Sequence, residues 1–158
     1  MWYNNYMKVV FLDIDGVANS EESLRHGYGG QIGIDPYMAF LIGKIQLATN
    51  CEFVLSSSWR HCEHNITEVN KKIAKIYDIT PYNVKYTDEE TVCEARGIHI
   101  HRGREIKAWL DLHPEVTKYA ILDDDSDMLP EQLPNFFKTS WKMGLTEEIQ
   151  KQVIAHLL

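Results

Sequence analysis

Four short runs of mostly branched apolar residues punctuate the chain, at 8–14, 52–55, 119–122 and 135–139. Their length and their Val, Ile, Phe and Leu content predict buried β-strands. Between them, apolar residues recur at helical spacing. Leu41, Ile42, Ile45 and Ala48 share one face of a predicted helix starting near Pro36, with Asp35 as its N-cap. Ile66, Val69, Ile73 and Ile76 predict a second helix. Ile106, Trp109 and Leu110 mark a third that stops before Pro114, and Ile149, Val153, Ile154 and Leu157 mark a last one capped by Thr146. Strands alternating with helices predict an α/β Rossmann-like three-layer sandwich, its central sheet parallel and covered on both faces.

At 158 residues, with no repeat and no Gly/Ser-rich linker, residues 1–158 read as one domain with a core of ordinary size. Residues 1–7 read as a ragged lead-in without the basic and apolar regions of a signal peptide. The longest apolar runs are a few residues, far short of the roughly 18–20 that cross a bilayer. The net charge of −7 repels phosphodiester backbones overall, so a nucleic-acid partner needs a local basic patch. Cys51, Cys62 and Cys93 make an odd count without paired spacing. That pattern points to reduced thiols and a cytoplasmic setting.

In parallel α/β sheets, ligands bind beyond the carboxyl ends of the strands. Here those ends are polar. The first predicted strand runs into Asp13-Ile14-Asp15-Gly16-Val17, the second into Ser56-Ser57-Ser58-Trp59-Arg60, the third into Asp123-Asp124-Asp125-Ser126-Asp127. Carboxylates converging at one sheet edge repel each other unless a cation neutralises them. A hard divalent ion with oxygen ligands, most simply Mg²⁺, meets that need. It would also neutralise a phosphoryl group and leave one carboxylate free to attack it. Asp13, at the rigid strand tip, is the expected nucleophile, and Asp15, two residues on, the expected general acid. Gly16 permits the sharp turn between them and the chain beyond. Ser56 offers a hydroxyl and an N–H to a phosphate oxygen, and Arg102 or a neighbouring cation balances the remaining charge.

Each cluster alone has an ordinary explanation. Asp-x-Asp-Gly is common in turns, serine-rich strand ends are usually loops, and acidic runs are usually solvated. Their succession after three apolar strands in one domain is what carries the reading. His61, Cys62, His64, Cys93, His99 and His101 lack a Cys-x-x-Cys or His-x-x-x-His pair, so they are read as loop residues near the substrate rather than a zinc site. Trp59 and Trp109 are candidates to stack on a base, but Trp109 falls on an apolar helix face and reads as core, and Tyr82 and Tyr86, in a loop, are the better stacking candidates. Arg102, Arg104 and Lys107 form a basic cluster that contacts phosphate or is merely the wet side of its helix.

The segments Asp13-Ile14-Asp15-Gly16-Val17, the run ending at Ser56, and Ile121-Leu122-Asp123-Asp124 together resemble the haloacid dehalogenase-like (HAD) superfamily. Residues 55–60, 102–110 and 121–128 resemble a narrower branch, the HAD domains of Swiss Army knife RNA-repair proteins and their stand-alone relatives. The resemblance covers roughly residues 8–146 and implies a magnesium-dependent phosphatase working through an aspartyl-phosphate on Asp13. It implies that Asp15 protonates the leaving group and then activates water. It gives Ser56 the second-motif role, with Ser57 and Ser58 close enough to leave the register open. It likens Arg60 to the arginine of polynucleotide-end phosphatases, and assigns the third-motif cation to Arg102, with Arg104 or Lys107 as substitutes. Gly16, Ser57, Ser58, Arg60 and Arg104 are thereby expected at the substrate. Asp13, the Asp15 carbonyl, Asp123 and Asp124 are expected at the metal, with Asp127 supporting from behind.

The chain departs from better-known members in lacking a large cap. Only a small flap is expected, within 61–101. An open site suits a bulky substrate such as a nucleic-acid end, or a small one enclosed by oligomerisation. The resulting expectation is a phosphatase acting on a nucleotide or nucleic-acid end, beside possible repair-protein partners. The alternatives are a general small-metabolite phosphatase, a phosphotransferase, and a non-catalytic binding module of the same fold.

Overall fold

The computed structural model describes residues 6–27 and 33–158. Most of the lead-in expected at 1–7 therefore lies outside the described residues, but Met7 already belongs to the first strand. Five strands, β1 (Met7–Leu12), β2 (Glu52–Leu55), β3 (Ile76–Ile79), β4 (Val116–Asp123) and β5 (Phe136–Lys138), form one sheet in the order β3-β2-β1-β4-β5. Every pairing is parallel. The helices are α1 (Glu21–Arg25), α2 (Pro36–Thr49), α3 (Glu63–Lys72), α4 (Asp88–Ala95), α5 (His101–Asp111) and α6 (Glu147–Leu157).

Alternate strand residues face opposite layers, which follows from the two-residue period of a strand. Val10, Leu12, Phe53, Leu55, Ala120 and Leu122 pack with Leu41, Ile42 and Ile45 of α2, Val69 of α3, and Val153 and Leu157 of α6. Val9, Phe11, Val54 and Ile121 face the other way, onto Ile106 and Trp109 of α5 and onto Met128. The predicted three-layer sandwich is the observed one. Trp109 is core as expected: it meets Phe11 edge-on with ring centroids 5.5 Å apart, and its indole N–H donates to Asp78 at 2.8 Å.

The capping residues stand where the sequence puts them. Asp35 accepts from the backbone N–H of Tyr37 at 2.8 Å, with Pro36 opening α2, and Thr146 accepts from Ile149 at 3.3 Å to open α6. Two expectations need correction. Ile73 and Ile76 do not extend α3, which ends at Lys72; Ile76 begins the edge strand β3 instead. The three-residue spacing imitates a helix face. What starts the strand is the Asn70 side chain, whose Oδ1 takes the Ile76 N–H at 2.7 Å. The expected flap at 61–101 is accordingly split: α3 and β3 belong to the sheet and its layer. Only the stretch from Thr80 to Ile100, carrying α4, lies outside that framework. Helix α4 was not foreseen; a capping box between Thr87 and Glu90 opens it.

Strand register brings the polar segments to one level. Leu12 pairs with Leu55 on one side and Leu122 on the other. The ladder continues one step beyond the strands: Ser56 N donates to Leu12 O at 3.0 Å, and Asp13 N to Leu122 O at 3.0 Å. On the outer pairs, Thr80 N donates to Leu55 O and Thr139 N to Asp123 O. Helix α5 is seated against the loop after β4 through Gly103, where an added Cβ would lie 2.5 Å from Leu129 N.

Gly103→Ala is therefore expected to lower stability by about 1–3 kcal/mol, because backbone rather than a flexible side chain must give way. Gly43→Ala, mid-helix in α2 with its nearest neighbour 3.9 Å from the new Cβ, should instead raise it by about 1 kcal/mol. Urea unfolding midpoints of the two variants should move in opposite directions.

Candidate active site at the carboxyl ends of the strands

The end of β1 delivers Asp13 between the ends of β2 and β4. Asp13, Asp123 and Asp124 each place a carboxylate oxygen within 4.8 Å of the others. Asp13 and Asp123 are buried, and Asp124 is half-buried. Burial pushes the Asp13 carboxyl up to about 7, against the pull of Arg102. Burial and the Asp13 charge together push Asp123 up to about 8. Asp124 is raised too, chiefly by burial and then by Asp125. Gly16, in the left-handed region at φ 84°, lets the chain turn under Asp124; a Cβ there would run into the Asp124 carboxylate.

The donor set fits a hard cation. All three converging groups are carboxylates, and Asp123 Oδ2 is buried without a hydrogen-bond partner among the described residues. The nearest positive charge, Arg102 Nε, stands 3.6 Å away, at ion-pair rather than hydrogen-bond distance. Ser56, whose backbone N–H bonds Leu12 O one residue before Asp13, is fully buried with an unpartnered hydroxyl. Buried polar atoms left unpaired in a native fold call for an ion or ligand.

Of the three cations considered, Arg102 is the one that reaches the carboxylates. Its backbone N–H donates to Asp127 Oδ2 at 3.0 Å, and its guanidinium bonds the Ser56 carbonyl and stands 3.3 Å from Glu105. Lys107 is instead exposed and pairs with Asp111 at 2.8 Å. Asp127 lies outside the three-carboxylate cluster. It holds the start of α5, its carbonyl also accepting from Gly103 N at 2.9 Å, and so acts on the site by placing Arg102.

Two expected substrate contacts are corrected. Arg60 is buried, and its guanidinium is committed internally: Nε to Thr80 O at 3.1 Å, Nη1 to the carbonyls of Ser56 and Ser57, Nη2 to Glu105 at 2.6 Å. It clamps the turn after β2 rather than reaching outward. Arg104 is also buried. It binds the carbonyls of Val84 and Lys85, pairs with Glu90 at 2.9 Å and stacks on Tyr86 with its guanidinium carbon 3.5 Å from the ring centre. Arg104 thus fastens the 80–100 stretch to α5, covering one face of Tyr86, whose ring otherwise stays exposed. Tyr82 keeps an exposed face and meets His61 edge-on.

The serines divide. Ser57 Oγ accepts from Trp59 N at 3.2 Å, whereas Ser58 is exposed at the start of a single 3-10 turn, Ser58–His61. Asp15 is exposed and stands apart from the metal cluster. Its two oxygens accept from Asn19 Nδ2 at 2.9 Å and Trp59 Nε1 at 3.1 Å. The His and Cys residues of 61–101 form no three-ligand group among the described residues; His99 pairs with Glu94 and His101 with Glu105.

Sequence reading missed Glu105, which is buried and binds Arg60, Arg102 and His101 at once. Its signal was present: an acid three residues after Arg102, beside Ile106 on the inward face of α5. Removing one partner of a buried ion pair leaves an unpaired charge, so Glu105→Ala should cost about 3–5 kcal/mol by urea unfolding.

Raised carboxyls bind protons more tightly in the folded protein than in the unfolded chain. The metal-free protein should thus be most stable below about pH 4 as far as these groups are concerned, losing that contribution as pH climbs through 7 and 8. Adding Mg²⁺ should raise the thermal midpoint at pH 8 much more than at pH 5, in a calorimetric titration.

No curated protein and no solved structure shows a significant match to the chain. The sequence profile of the HAD domain in Swiss Army Knife RNA repair proteins matches residues 9–149, spanning β1 to the start of α6 and every residue of the site above. The motifs at the three strand ends and the observed topology agree with that match, and the chain belongs to this family of HAD domains.

Proposed function

We propose that this protein is a Mg²⁺-dependent phosphomonoesterase that forms an aspartyl-phosphate on Asp13 and acts on a nucleotide or nucleic-acid end. Membership in the HAD family supports a hydrolase of the phosphatase type. The observation that carries the reading is the set of three convergent carboxylates beside Arg102 and the unpartnered Ser56 hydroxyl.

Asp13, Asp123 and Asp124, with the Asp15 carbonyl as a further oxygen, are the groups that would hold the ion. When bound, Mg²⁺ supplies positive charge that offsets the carboxylates and the phosphoryl oxygens. An Asp13 oxygen attacks phosphorus as the bond to the leaving oxygen breaks, and Asp15 gives its proton to that oxygen, releasing an alcohol. Arg102 and the Ser56 hydroxyl hold phosphoryl oxygens during transfer. A water molecule then attacks the phosphorus of the aspartyl-phosphate while Asp15 takes its proton. The bond from phosphorus to the Asp13 oxygen breaks, which regenerates the Asp13 carboxylate and releases inorganic phosphate.

The nucleic-acid-end preference rests on the family description, which names RNA repair proteins, and on the small size of the 80–100 stretch beside the site. A cytoplasmic setting belongs to the same reading, since Cys51, Cys62 and Cys93 are all free. No helix among the described residues is long and apolar enough to cross a membrane.

Hydrolysis of a chromogenic phosphate ester should require Mg²⁺, stop with EDTA, and disappear in Asp13→Asn. Wild-type turnover in that variant would refute the nucleophile. Asp15→Asn should lower turnover of an alkyl phosphate by about 10²–10⁴-fold. Comparing mononucleotides with 3′- and 5′-phosphorylated oligonucleotides gives the substrate. Preference for a sugar phosphate over all of these would favour the general-metabolite reading, and transfer to added alcohols the phosphotransferase one.

A further inference from the structure

Asp15 is solvent-exposed, yet it does not hang free. Two side chains from different strand ends grip it. Asn19, from the turn after β1, is itself pinned: its Oδ1 accepts from Gly16 N at 2.9 Å and its Nδ2 donates to Gly33 O at 2.6 Å as well as to Asp15 Oδ1. Asn19 is 1% exposed, so that arm is rigid. Trp59, from the turn after β2, supplies the other arm, and its indole reaches Asp15 Oδ2 across 44 positions of sequence. Its backbone N–H is tied to Ser57 Oγ at 3.2 Å, and its carbonyl takes the Cys62 N–H at 3.2 Å. The same turn is clamped by Arg60, and the Trp59 side chain is half-buried against the core on the α2 and α3 side.

We propose that Trp59 is a positioning residue for Asp15, its indole N–H completing a two-armed bracket that holds the carboxyl in place for proton transfer to the leaving group. This rests on the phosphatase reading above. The chemistry of the arms suits the task. Indole and amide N–H groups only donate, so neither can accept the proton that Asp15 must deliver. Each carboxyl oxygen has two acceptor positions and gives one to the bracket. One remains on Oδ2 for the catalytic proton. An exposed aspartate without such contacts samples several rotamers, and misplacement by an ångström is enough to slow a reaction severely. A bracket built from both strand ends also ties Asp15 to the turn that carries Ser56 and Ser57.

A general acid matters most when the leaving group is poor. The test is therefore Trp59→Phe, which keeps a large ring and deletes the N–H, assayed on an alkyl phosphate and on p-nitrophenyl phosphate with Mg²⁺. The expected result is a fall in kcat about tenfold greater on the alkyl ester than on the aryl ester, with an unfolding midpoint close to that of the unaltered protein. Asp15→Asn should show the same split more strongly. Adding Trp59→Phe to Asp15→Asn should then cost nothing further, since the indole acts only through that carboxyl. Equal losses on the two esters, or a further loss in the double variant, would overturn the bracket. Should Trp59→Phe prove unstable, Trp59→Tyr read by the same ester ratio decides between the same outcomes. Asp13→Asn separates this from the broader reading: if it abolishes activity while the ester ratio in Trp59→Phe stays unchanged, the bracket alone fails; if it stays active, the phosphatase mechanism fails.

Discussion

Three carboxylates crowded at the tips of parallel strands set the terms for the rest of this molecule. Taking one ionised carboxylate out of water is costly, and placing others beside it compounds the cost through repulsion. The fold accepts this at Asp13 and Asp123, both buried and both driven toward their neutral forms. Only one protein cation, Arg102, stands against them among the described ion pairs. Asp123 Oδ2 and the Ser56 hydroxyl are both buried without a hydrogen-bond partner among the described residues.

The scaffold behind that site is itself electrostatic. Glu105 gathers Arg60, Arg102 and His101 onto one buried carboxylate. Arg60 passes the constraint to the turn after β2 through the carbonyls of Ser56 and Ser57. Arg102 passes it to Asp123 at the end of β4, while Asp127 fixes where α5 begins. The ends of β2 and β4 are thereby tied to one helix, α5. Two arginines expected at the substrate are committed internally, Arg60 within this network and Arg104 to Glu90 and the carbonyls of Val84 and Lys85. A guanidinium carries five donors in a rigid fork, which suits it to binding several carbonyls at once, and Arg60 and Arg104 are both used that way.

Local pattern and long-range placement contributed differently to the reading. The strands β1, β2, β4 and β5, the helices α2, α5 and α6 and the body of α3 are legible because apolar periodicity and caps are written within a few residues. The edge strand β3 was not: Ile76 and Ile79 match helical spacing as well as strand character, and edge strands need only one neighbour. Helix α4 buries no residue fully, so it has no apolar stripe to announce it, and its capping box was the one available signal. Glu105 looked like any charge on a helix until its burial was seen.

By itself the sequence determined the layer order of the fold and the convergence of Asp13, Ser56 and Asp123. An apolar strand followed by polar residues dictates both burial and which end carries the chemistry. It also determined the family, through motifs that are local. Only the tertiary structure decided which of Arg102, Arg104 and Lys107 faces the acids, which of the serines lie inside, and that Asp127 serves the helix start rather than the cluster. Those outcomes depend on strand register and on where long side chains end, and a shift of one residue on a helix turns a side chain by about 100°. Such distances are properties of the packed whole, with no trace in any short stretch of residues.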